Sequence, residues 1–347
     1  RYSLTILSIC ILQYIRVTTR FKTTSFPIRR MEMLVKREAK TDAAYGCNPE
    51  ERSIEQLLQY GIVNVNKMQG PTSHQVADYV KKICHVDKAG HSGTLDPNVT
   101  GVLPITLAKA TRVVSLLLKS PKEYVALMHL HKPVSEEELK QAITKFTGEI
   151  KQTPPRKSAV KRQERKRAIY EFEILERNGQ EVLFRVSCQA GTYIRTLIHQ
   201  IGLYLKTGAH MTQLIRTKTG PFTQRTWHSL QDLKDAYEFY KQGNEEEIQK
   251  VILPFETVVQ NMPKIWVLDS AVNTICHGSS LGIPGVSKLT TDIIPNQTVA
   301  IMTLKGELIA LGTAVLTSKD IQEKEKGLAA TTQTVFMERN TYLLSPK

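Results

Sequence analysis

The sequence predicts an α+β chain of two domains: a larger one of mixed helix and sheet over residues 54–258, and a small one of short strands over 262–340. Three observations lead there. The chain has 347 residues, 41% of them hydrophobic, enough for two separate cores. Runs of strand period alternate with runs of helical period up to about Gln249. From Lys264 onward short strands dominate, and Lys305-Gly306 reads as a hairpin turn between strand-like residues 298–303 and 307–316.

Residues 1–30 differ from the rest. They carry six Lys or Arg and no acid, and their apolar run over 4–15 is too short to span a membrane. No small-residue cleavage site follows it. Ordinary composition begins near Met31 and Met33, so 1–30 is expected to be a non-native or mis-assigned leader, with a transit peptide as the second reading. Residues 31–53 read as a polar N-terminal extension.

Ile54 to Leu58 suits a short helix, and residues 61–67 alternate as a strand. Thr72 and Gln75 have capping-box spacing ahead of Val76, Tyr79, Val80 and Ile83, which repeat at helical period. A glycine-framed loop follows, Lys88-Ala89-Gly90-His91-Ser92-Gly93-Thr94-Leu95-Asp96-Pro97, with Gly101 allowing another close approach. Beyond it come a helix over 107–118 and a strand over 122–131. Ser135 and Glu138 cap a further helix through Phe146, stopped near Gly148. Pro154-Pro155 forces extended chain. Residues 182–189 alternate as a strand, and a turn at Ala190-Gly191 opens a helix whose buried stripe is Ile194, Leu197, Ile198, Ile201 and Leu205. Arg195 lies in its first turn, where a cation is disfavoured without an anionic partner. Residues 232–249 read as charged helix.

The net charge of +14 is concentrated. Residues 1–30 hold +6 and residues 151–167 hold +7, leaving +1 for the remainder. Such a patch suits a phosphate-rich partner, and the stretch from Lys151 to Arg167 could follow a nucleic-acid backbone. The five cysteines form no CxxC pair, which removes zinc-knuckle and redox motifs and favours a reducing compartment. There is no HExxH. His129 and His131 can share a strand face but lack a third ligand in sequence, so packing is the expected role and no metal site is predicted.

An Asp-Pro step alone is usually a turn. The whole run Gly90-His91-Ser92-Gly93-Thr94-Leu95-Asp96-Pro97, however, resembles the active-site signature of the TruB/dyskerin family of RNA pseudouridine synthases. Gly191-Thr192-Tyr193-Ile194-Arg195 is similar to the second family signature. Gly208-Ala209-His210-Met211 with Leu214-Ile215-Arg216 resembles the sequence beyond it. Asp269 to Asn273, running on through Ile283-Pro284-Gly285, looks like the start of a PUA domain, a small β-barrel that binds RNA. The likeness spans about residues 52–339. One departure is local: the family pairs a lysine with proline after the first strand, whereas Lys67 precedes Met68.

The resemblance implies a mixed-sheet catalytic domain with a C-terminal PUA barrel, acting without a cofactor. It implies that Asp96 is the nucleophile, that Arg195 pairs with it and orients it, that Tyr124 stacks on the target base, and that His91 and Lys67 contact the substrate. Arg156, Lys157, Lys161 and Arg162 would follow the RNA backbone. Pro154-Pro155 with the Ser158-to-Arg162 run is similar to the guide-RNA-dependent branch, which would place the chain with H/ACA guide RNA and small accessory proteins, acting on rRNA. The stand-alone branch modifies the TΨC loop of tRNA, and the two activities are compatible. No membrane is implied. The expected compartment is an archaeal cytosol, or the nucleolus if the source is eukaryotic. A rival reading is a non-catalytic RNA-binding scaffold built from the same domains.

Overall fold

A computed structural model describes residues 32–155 and 161–343. The chain divides into two compact units. One is Leu58–Phe255; in the other, the described part of 20–57 folds together with 256–343.

The first unit is built on a ten-stranded mixed sheet. In chain order its strands are β1 (Gly61–Lys67), β2 (Ala89–His91), β3 (Thr100–Leu107), β4 (Lys122–Leu130) and β5 (Gly148–Gln152), then β6 (Arg165–Asn178), β7 (Glu181–Cys188), β8 (Ala209–Thr219), β9 (Phe222–Thr223) and β10 (Ile252–Pro254). The spatial order is β10-β1-β3-β8-β4-β7-β6-β5, with β2 on β3 and β9 on β8. Every neighbouring pair is antiparallel except β3 with β8, joined over Thr100–Ile215 and Gly101–Arg216. A parallel pair needs a long crossover, which residues 108–208 supply. This junction is where the conspicuous residues gather.

Local chemistry explains most of the helices. Helix α1 (Ser73–Ile83) starts at a full capping box between Thr72 and Gln75, and α3 (Glu136–Lys145) at one between Ser135 and Glu138. The expected helix over 107–118 divides. Leu107 is the last residue of β3, Ala108–Val113 winds as a 3-10 turn, and only α2 (Val114–Lys119) is α-helical. Lys122 closes that helix, its buried ammonium donating to the carbonyls of Leu117, Leu118 and Ser120 at 2.7, 3.0 and 2.8 Å. Helix α4 (Ile194–Tyr204) buries Ile194, Leu197, Ile198 and Ile201 against β4 and β7 residues such as Met128, Phe184 and Val186. The charged stretch over 232–249 is two helices, α5 (Leu230–Lys241) and α6 (Glu246–Val251); Gly243 at φ +90° breaks it.

The second unit is a seven-stranded sheet with its own core, around Ile265, Val286, Leu289, Ile301 and Ile309. Strands Thr298–Met302 and Leu308–Ala314 form the expected hairpin. The described part of residues 31–53, read as an N-terminal extension, folds within this second unit. Met33–Val35 pairs with Val286–Thr290, and Arg52 meets Glu256 through two bonds of 2.8 Å, all within the second unit. A three-residue strand carries no period to read, so only the pairing reveals it.

Candidate active site

The Asp96 loop is held by its backbone so that its acid stays free. On one side the Ser73 hydroxyl, at the start of α1, accepts from the Leu95 amide at 2.8 Å and donates to the Leu95 carbonyl at 3.2 Å. On the other, the Lys67 ammonium donates to the carbonyls of Met68, Pro97 and Val99 at 3.0, 3.1 and 2.9 Å. The Gly70 amide bonds the Pro97 carbonyl and the Val99 amide the Asp96 carbonyl. Leu95 is buried beneath, while 54% of the Asp96 side chain remains exposed.

Arg195 reaches Asp96 from α4. Tyr193 is the N-cap, which makes Arg195 the second helical residue and leaves the first turn without an acid of its own. Gln152, 3% exposed at the end of β5, grips Tyr193 from both sides: its amide nitrogen donates to the Tyr193 carbonyl at 3.2 Å, and its oxygen accepts from the Tyr193 amide at 3.0 Å. Arg195 Nη2 donates to Asp96 Oδ2. Both side chains are more than half exposed, so the pair adds little to folding. Its consequence is directional: it aims the carboxylate.

Tyr124 lies on β4 directly opposite Arg216 of β8. Burial first of all holds its hydroxyl above the ordinary range, while the facing Arg216 guanidinium works against that rise. His91, at the end of β2, packs edge-on to His74 with ring centroids 4.6 Å apart, and its Nδ1 accepts from the Gly93 amide at 3.3 Å. Burial, then the neighbouring His74 and Arg216, pushes His91 down to about 4. Its folded value lies below the unfolded one, so the stability tied to neutral His91 is complete above about pH 6.5 and is lost as pH falls towards 4. Denaturant midpoints measured from pH 7 to pH 4 are expected to fall, and His91→Asn to flatten that fall; an equally steep decline in the variant refutes the assignment.

Asp96, Arg195, Tyr124 and His91 thus come together at the β3–β8 junction. Lys67 departs from its expected place among the substrate contacts. It is 0% exposed, and its ammonium is spent on the three carbonyls flanking the acid, so it shapes the loop from below. Lys161 and Arg162 are exposed, whereas Arg156 and Lys157 lie outside the described residues. Arg167, closing the same basic stretch, donates to the Gly191 carbonyl at 3.2 Å, which brings the track to the turn before Arg195.

Ser73, Gln152 and Arg216 escaped the sequence reading as site residues. Ser73 and Gln152 act through backbone on distant segments and carry no local signal; Arg216, a cation in a strand just after the apolar Leu214-Ile215 pair, could have drawn notice. Tertiary folding also adds His210 to the His129 and His131 pair. His131 Nε2 meets His210 Nδ1 at 2.9 Å, and His129 pairs with Glu181 at 2.5 Å. Among the described residues no such group is placed to hold a metal ion.

Comparison with known proteins gives this site its context. Residues 81–194 match the TruB family pseudouridylate synthase N-terminal domain, 195–260 the tRNA pseudouridylate synthase B C-terminal domain, 263–336 the PUA domain and 24–77 the DKCLD domain. A mixed-sheet domain with this aspartate loop, followed by a PUA unit, is a pseudouridine synthase by class. Among curated relatives, the "Probable tRNA pseudouridine synthase B" of Methanocaldococcus jannaschii is 51% identical over 90% of this chain and 93% of its own length. That of Pyrococcus furiosus is 52% identical over 90% and 93%. The chain belongs to the TruB family. Two solved structures resemble it with a TM-score of 0.84. One, described as a Cbf5-Nop10-Gar1 complex, is 52% identical over 91% of this chain and 97% of that one. The other, an H/ACA RNP bound to a substrate RNA containing 2'-deoxyuridine, is 49% identical over 92% and 99%.

Proposed function

We propose that this synthase isomerises uridine to pseudouridine in rRNA and tRNA as the catalytic subunit of an H/ACA guide ribonucleoprotein, together with small accessory proteins of the Nop10 and Gar1 kind. The observation that carries the chemistry is the exposed Asp96 carboxylate aimed by Arg195 beside Tyr124. The reaction breaks the bond from N1 of uracil to the sugar and forms one from C5, moving a proton from C5 to N1. It exchanges no electrons. Asp96 serves as the nucleophile and Arg195 orients it. Tyr124 lies against the uracil once the nucleotide leaves its stack, and His91, neutral near pH 7, meets the displaced RNA. Arg156, Lys157, Lys161 and Arg162 follow the phosphate backbone.

Guide dependence is supported by the likeness to the two solved complexes, which covers more than nine-tenths of this chain in each case. The compartment we propose is the cytosol, which suits free cysteines at Cys47, Cys84, Cys188 and Cys276. The test is a pseudouridine assay on an rRNA fragment and on a tRNA, with and without matched guide RNA and accessory proteins. Modification of the rRNA fragment is expected only with the guide. Equal turnover in its absence overturns the guide-directed reading and leaves the synthase reading intact.

A further inference from the structure

Beneath the catalytic loop lies a cation with no acid to balance it. Arg216 is 1% exposed. Its Nε donates to the Val102 carbonyl at 2.7 Å and its Nη2 to the Gly93 carbonyl at 3.3 Å, and Tyr124 faces it from the neighbouring strand. Among the described residues no carboxylate pairs with it, and burial pulls it below its ordinary range. The same charge helps to push His91, Lys67 and Lys122 downwards.

A buried guanidinium bonded only to neutral oxygens costs more in lost hydration than those bonds return. A well-packed apolar side chain would serve the fold better. The group therefore needs a reason other than stability, and its two bonds and its place opposite Tyr124 supply one, because together they join three separate parts of the site. Gly93 belongs to the loop that carries Asp96, Val102 to β3 just after that loop, and Tyr124 to β4. Backbone pairing sets the reach: Arg216 is in register with Tyr124 on one side and with Gly101 on the other.

We propose that Arg216 is a positioning residue that couples Tyr124 to the Asp96 loop, holding the aromatic ring and the carboxylate at a constant spacing around the reacting uracil. This rests on the synthase reading above. Arg216 itself is sealed from the cleft and touches no reacting atom. The fork of the guanidinium is essential to the role, since it reaches carbonyls on two segments from one fixed plane while facing Tyr124 on a third, which an ammonium cannot do.

The test uses the complete chain assembled with guide RNA, and follows wild type, Arg216→Lys, Tyr124→Phe and the double variant in single-turnover assays. Active wild type keeps the synthase reading standing, whatever the variants do. Arg216→Lys is expected to slow the bound reaction about 100-fold while RNA affinity changes less than about threefold. In the Tyr124→Phe background the same substitution is expected to slow it no more than about threefold further, because the coupling is already cut. A full 100-fold loss in both backgrounds, or unchanged rate in Arg216→Lys, overturns the proposal. Should the lysine variant fail to fold, Tyr124→Phe alone decides. Losing the hydroxyl is expected to speed amide hydrogen exchange over residues 92–99 about tenfold, and unchanged exchange there refutes the coupling.

Discussion

Replacing Asp96 with alanine is expected to abolish pseudouridine formation, with a loss of at least about 10⁴-fold in single-turnover rate and RNA affinity within about twofold of wild type. The two readouts separate because of how the residue is held. The loop is clamped through the Leu95 backbone by Ser73 and through the Pro97 and Val99 carbonyls by Lys67, none of which needs the carboxylate. The Arg195 pair is more than half exposed, so its loss costs the fold little. Removing one negative charge from a surface that meets phosphates does not weaken that meeting. Nucleoside analysis of the product and filter binding of the RNA measure the two quantities. Appreciable turnover in the variant would exclude Asp96 as the nucleophile; intact binding without turnover excludes a purely scaffolding protein.

The largest stability effect is expected at Gly101. Its φ is +110°, and a Cβ placed there would lie 2.2 Å from the Arg216 carbonyl oxygen and 2.9 Å from the Arg216 nitrogen. Both obstacles are backbone, at the parallel pairing of β3 with β8. Gly101→Ala thus combines a left-handed conformation with an overlap that no rotamer relieves, for a cost of about 3–5 kcal/mol. For a unit of this size that lowers the melting temperature by roughly 10 °C. Because Arg216 is the obstructing residue, the surviving folded protein should also be slow. A variant that melts within about 2 °C of wild type would show that the two strands can separate without penalty.

Much of this was legible in the chain itself. The capping boxes at Thr72 and Ser135 and the apolar stripe of α4 each depend on residues three or four apart, and each appears where the spacing puts it. The run from Gly90 to Pro97 pointed to the family through its resemblance to the family's signature. Arg195 was legible as a cation at a helix start in need of an anion. Other features have no short-range signal. Residues 31–53 look like an extension because Met33–Val35 is too short to show a period. Lys67 enters as a substrate contact only through the resemblance, yet its side chain is enclosed.

What the sequence alone pointed to is therefore a family and, through the resemblance, a carboxylate, an arginine and an aromatic side chain to look for in its site. What only the tertiary structure decided is how they are held. Asp96 and Arg195 are 99 residues apart. Gln152 steadies Tyr193 across 41 residues, and Arg216 reaches Gly93 across 123. Periodicity records which face of one element is buried, and a motif records which groups must meet. Neither records which distant backbone carbonyl a buried cation will satisfy, because that depends on the order in which the strands are laid side by side.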